Sequence, residues 1–237
     1  MNHYTGIGLP LTEQAHFETV LPRLLEEAQT LVQGSRLTYY VYTDSSMAQL
    51  WLGTDDQGVC SFEPFFQGQA QRLLYLDSIY PADNGTALIS AWPSEKREAG
   101  RPLIFSVPDG DALQENQIGS CAWVLLAAFA EDVRLFADQE AYMQAPAGEK
   151  MDWPLPDLRP AGQNGGEAYI LLTGTITASE RRLNEFGGLP FYRLSVATEG
   201  GELEAVADMA LFRQPPQPGN VIQGLFWLSG RVLAEAV

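Results

Sequence analysis

The stretches YILLTGTITA (Tyr169–Ala178), FYRLSVAT (Phe191–Thr198), ELEAVADMAL (Glu202–Leu211) and VIQGLFWLSGRVL (Val221–Leu233) decide the fold. Three of them are rich in β-branched and aromatic residues, and the stretches largely alternate apolar with polar positions, the pattern of a half-buried strand. Turn formers separate them at Gly187-Gly188, at Gly200-Gly201 and along Pro215-Pro216-Gln217-Pro218-Gly219. The last stretch differs from the others. Ile222, Phe226 and Leu228 share one phase and Val221, Leu225 and Trp227 the other, so both of its faces are apolar and both require a cover.

Taken together, residues 168–237 are similar to a small OB-type β-barrel, in which a long first strand, a hairpin and a Gly-bounded closing element curl into one sheet. No clear fifth strand follows. Either Gly224 or Gly230 divides the last run, or the N-terminal region closes the sheet. Barrels of this type often hold single-stranded nucleic acid on an outer platform of aromatic and basic residues. Phe191 and Arg193, beside Arg181 and Arg182, would form such a platform, and Leu225 with Trp227 a second, apolar contact surface. Glu202, Glu204 and Asp208 on the third strand oppose a phosphate backbone, however, so nucleic acid is not an expected partner and core packing is the better account of Phe191.

Working outward, AGEKMDWPLPDLRPAGQNGG and its flanks carry proline and glycine punctuation without periodicity, which marks 146–167 as a linker, pinned in part by Trp153 and Leu155. This divides the chain into an acidic domain, 1–145, and the β-domain, 168–237. In the first, apolar residues recur at helical spacing from Thr12 to Gln33, with Pro22 inside the pattern and Gly34 as the stop. Strand-like runs follow at Leu37–Thr43, Met47–Thr54, Val59–Phe62, Arg72–Tyr80, Thr86–Trp92 and Leu103–Val107, joined by short turns that favour antiparallel neighbours. Ser120 is placed to cap a buried helix over Cys121–Ala130. The expected fold class is α+β: a mainly antiparallel sheet flanked by helices, plus the small OB-like barrel.

The chain has 237 residues, 30 Asp and Glu against 14 Lys and Arg, and a formal net charge of −16. Such a field repels phosphate backbones and anionic lipids and favours basic protein partners. Cys60 and Cys121 make no disulfide framework, and there is neither a basic segment leading into an apolar core at the N-terminus nor an 18-residue apolar run. The expectation is a cytoplasmic protein that does not engage membranes.

Motifs for chemistry are sparse. Gly119-Ser120-Cys121-Ala122-Trp123 resembles the nucleophile region of papain-like cysteine proteases, which implies a thiolate at a helix N-terminus paired with a downstream histidine. Both histidines, His3 and His16, lie upstream, so Cys121 reads as a small buried hydrophobe. Zinc-ligand spacing, a calcium loop after Asp109-Gly110-Asp111, phosphate-binding glycine loops and the Ser elbow are all missing, and no metal or cofactor is expected. The composition favours a non-enzymatic module that binds a basic protein through acids such as Asp55, Asp56, Asp109 and Asp111, in the manner of an immunity-type inhibitor. The competing expectation is a small-ligand binder or hydrolase with a carboxylate-lined cleft between the domains.

Overall fold

In the computed structural model, which describes residues 3–11, 14–93, 95, 101–114, 117–151, 154–161 and 167–235, helix α1 (Gln14–Glu27) precedes four strands. These are β1 (Thr30–Gln33), β2 (Thr38–Thr43), β3 (Ala48–Asp55) and β4 (Gly58–Phe66), paired antiparallel in chain order. The chain continues through β5 (Gln71–Pro81), β6 (Ala87–Trp92), β7 (Leu103–Val107), β8 (Cys121–Phe136), helix α2 (Gln139–Gln144), β9 (Asp157–Pro160), β10 (Tyr169–Leu183), β11 (Pro190–Thr198), β12 (Gly201–Asp208) and β13 (Val221–Glu235). All nine of these strands belong to one sheet.

Two long strands form its spine. β8 and β13 pair antiparallel from Phe136↔Val221 to Ala122↔Glu235, and six of the remaining strands close a circuit at each end of this ladder, β9 lying outside both along β10. At one end β13 pairs with β10, β10 with β11 and β11 with β12, while β12 returns parallel to β8 at Glu204–Val206 against Ala127–Phe129. At the other end β5 pairs with Cys121–Leu125 of β8, β6 with β5 and β7 with β6, and β7 reaches β13 at Ser106↔Ser229. Two five-strand rings therefore share β8 and β13. Closure leaves few open edges, the usual hazard of a large antiparallel sheet.

Side-chain alternation explains why the spine can be shared. On β8, Ala122, Val124, Leu126, Ala128 and Ala130 belong to the core of the rings, with Leu74, Ile89, Phe105, Leu172, Leu194, Ala205 and Phe226. Leu125, Ala127 and Phe129 belong to a second core that joins the rings to the four-stranded sheet, with Trp51, Phe65, Phe66, Phe191 and Trp227. A strand inserted between two cores is apolar at every position, and small alanines let both layers approach.

Buried acids fasten the loops between these layers. Asp44, in the β2–β3 turn, accepts the Glu185 and Phe186 amides of the β10–β11 turn. Glu204 on β12 accepts the Gln69 and Ala70 amides of the β4–β5 connection and pairs with Arg193. Asp111 accepts the Arg36 and Leu37 amides and the Ser35 hydroxyl.

The expected α+β class is overturned. The protein is mostly β, with two α-helices among the described residues and no helix-flanked sheet. The helix expected over Cys121–Ala130 is the first part of β8. Burial on both faces removes the period-two signal and leaves a solid apolar run, which reads as a buried helix. The helix expected to reach Gln33 ends at Glu27, and Thr30–Gln33 pairs with β2 instead. A separate OB-like barrel does not form either, because the strand that completes the ring of β10 to β13 is β8, from the N-terminal half of the chain. The six strand-like runs between Leu37 and Val107 correspond to β2 through β7. Trp153 lies outside the described residues.

Candidate ligand-binding site

The residues singled out by sequence do not converge. Phe191 is buried in the core between rings and sheet, edge-on to Phe66. Arg193 pairs with Glu204 and Glu180. Trp227 is buried and stacks on His3 with ring centroids 4.2 Å apart, whereas its neighbour Leu225 is half-buried. Burial lowers the His3 pKa to about 4, so the ring that meets the Glu131 carboxylate at 2.8 Å is neutral and donates its N–H. Of the four acids, Asp109 is buried beside Arg231, and Asp111 is engaged by residues 35–37. Asp55 and Asp56 are exposed at the β3–β4 turn. Cys121 opens a strand, which removes the helix N-terminus that the protease resemblance implied.

A different place has the chemistry of a site. β8 pairs with Gln71–Tyr75 of β5, but β6 first meets β5 at Tyr75↔Trp92. The edge of Gln71–Leu74 opposite β8 thus has no strand partner among the described residues. Beside it lies a cavity of about 500 Å³ lined by Leu73, Leu74, Leu103, Leu158 and Trp123, with Arg72, Arg101 and Glu199 as its charged members. Leu74, Leu103 and Leu158 are buried, while Leu73 and Trp123, cross-strand partners, are 43% and 42% exposed.

Arg72 is only 9% exposed. It alternates in phase with Leu74 and Leu76 and so enters the ring from β5. Its guanidinium donates to the Gly201 carbonyl at 2.9 Å, to the Thr198 hydroxyl, and at longer range to the Glu202 and Glu199 carbonyls, all around the β11–β12 turn. Each of these acceptors is neutral. No ion pair to Arg72 forms among the described residues, and burial lowers its pKa to about 10. A buried guanidinium ordinarily has a carboxylate partner.

A larger open groove, about 940 Å³, runs along Asp132–Ala137 and Leu211–Gln217. Its charges, Asp132, Arg134, Glu149 and Arg213, are all exposed, and Arg134 is satisfied by the Gly148 and Glu149 carbonyls. Solvated charges of mixed sign select no ligand, so the smaller cavity is the better candidate. Among the described residues no group of three or more His, Cys, Asp or Glu is placed to hold a metal ion, and no helix is long and apolar enough to cross a membrane.

Sequence reasoning passed over Arg72. The signal was present: a charged residue two positions before Leu74 and four before Leu76 sits on the inward phase of a strand, where arginine is rare. No family model matches this chain, and no curated protein or solved structure is significantly similar to it.

Proposed function

We propose that this protein binds a small molecule whose apolar body occupies the cavity between β5, β7 and the β11–β12 turn. The observation that supports this reading is the combination of an apolar wall with Trp123 left 42% exposed at its side. An exposed tryptophan beside a concave leucine-lined surface is costly to hydrate and rewards an occupant. The size falls within the usual range for small-ligand pockets. The test is titration with the neutral dye N-phenyl-1-naphthylamine. Saturable fluorescence enhancement at one site per chain is expected, weakened about ten-fold or more by Leu73→Asp or Trp123→Ala. Absence of saturable binding, or binding indifferent to both substitutions, would overturn the reading.

A second reading keeps the basic protein partner. It is favoured by the net charge of −16 and by the exposed Asp55-Asp56 turn. It ranks below the cavity because Asp109 and Asp111 are engaged inside the fold.

A further inference from the structure

Resting on the cavity reading, we infer that the ligand is an amphipathic monocarboxylate, with its head group held by Arg72 and its apolar part against Leu74, Leu103 and Leu158. Three observations lead there. Arg72 is a buried cation in a chain where acids outnumber bases by two to one, yet it has no carboxylate among the described residues. The turn around Thr198–Glu202 holds the guanidinium in place with neutral acceptors, which fixes its orientation without cancelling its charge. Among the described residues its NH1 nitrogen has only the Glu199 carbonyl, at 3.5 Å, so of the five guanidinium N–H groups those on NH1 are the least satisfied. A carboxylate there would form charge-assisted bonds in a place where water is largely excluded.

The charge balance of the lining narrows the class. Among the described residues of the lining, Arg72 and Arg101 contribute two positive charges and Glu199 one negative, leaving a single net positive charge. That suits a monoanion. A phosphate monoester, closer to two negative charges at neutral pH, would meet Glu199 at the mouth. The buried leucines require the remainder of the ligand to be hydrocarbon or aromatic. Arg101 is exposed, so its contribution is to attract the anion across an otherwise negative surface more than to hold it.

A series sharing one alkyl chain separates head group from tail: decanoate, decanol, decyl phosphate and decyltrimethylammonium, each displacing N-phenyl-1-naphthylamine from the wild-type protein near neutral pH. Decanoate should bind at least about ten-fold more tightly than decanol, and decyltrimethylammonium more weakly than either. Equal affinity for decanoate and decanol would overturn the head-group assignment while leaving the cavity reading intact. A preference for decyl phosphate would overturn the monoanion. Failure of every member to displace the dye would overturn both. In Arg72→Gln the ratio of decanoate to decanol affinity should fall to about one, whatever the change in decanol affinity itself, and Arg72→Lys, which keeps the charge, should retain part of the preference. Arg101→Gln should lower affinity for decanoate by only about two- to three-fold, and less at high salt.

Discussion

Glu63 is an acid whose protonation the fold strongly perturbs. It stands opposite Trp51 across the β3–β4 pair, and burial pushes its pKa up to about 7. Because the folded state holds this proton to higher pH than the unfolded state, the associated stability is fully present below about pH 4.5 and lost as pH rises through about 7. Glu63→Gln should therefore raise stability by about 2–3 kcal/mol at pH 8 and by little at pH 4, as urea unfolding at the two pH values would show. Asp111 has the opposite sign. Partial burial pushes its carboxyl up, but the Arg36 and Leu37 amides, the Ser35 hydroxyl and the Arg36 guanidinium outweigh this and hold it at about 2. Its contribution is present above about pH 4 and falls away toward pH 2. Sequence placed Asp109 and Asp111 in a turn, but no local pattern shows that the Asp111 carboxylate reaches residues 35–37. Arg72, by contrast, was legible from its phase with Leu74.

At the scale of elements, β8 and β13 show when period-two reasoning fails. Both faces of Val221–Leu228 are apolar in sequence, and the structure covers them with the ring core on one side and the His3, Phe129 and four-stranded-sheet side on the other. The same physics in β8, with four alanines, produced a helical reading, since alanine favours helices and carries no strand signature. Gly224 and Gly230, offered by sequence as break points, interrupt nothing. Gly224 instead lets the two spine strands approach beside an irregularity in their register. A Cβ there would lie 2.1 Å from the Asp132 carbonyl oxygen and 2.7 Å from the Val133 Cα. Backbone atoms cannot yield as a flexible side chain can. Gly224→Ala is expected to cost about 3 kcal/mol or more in urea unfolding, with the folded protein retaining its β-rich circular dichroism if it forms at all.

For the whole molecule, the local strand and turn signals were enough to find β2 to β7 and β10 to β13, but the pairing of β8 with β12 and β13 is non-local and leaves no mark within either segment. Closure of the last sheet by the N-terminal region was one of two alternatives in the sequence, but the strand that supplies it, and with it the cavity beside β5, was out of reach of local patterns. A consequence is that residues 165–237 lack the strand that completes their own ring. The isolated fragment would expose edges of β12 and β13 and the apolar face carrying Trp227. It should fail to show cooperative unfolding and should associate at micromolar concentration, whereas a monomeric fragment with a sharp transition in sedimentation and urea experiments would contradict the shared spine.

The shared spine also ties both rings to the last strand of the chain. β13 follows every other strand in the chain, and neither ring can close before it docks along β8. Until then β8 waits with two apolar faces and an incomplete set of partners, while the entropy of bringing distant segments together has not yet been repaid by contacts. During synthesis β8 therefore emerges well before the strand that covers it, an interval in which exposed apolar faces favour sticking to other copies of the chain.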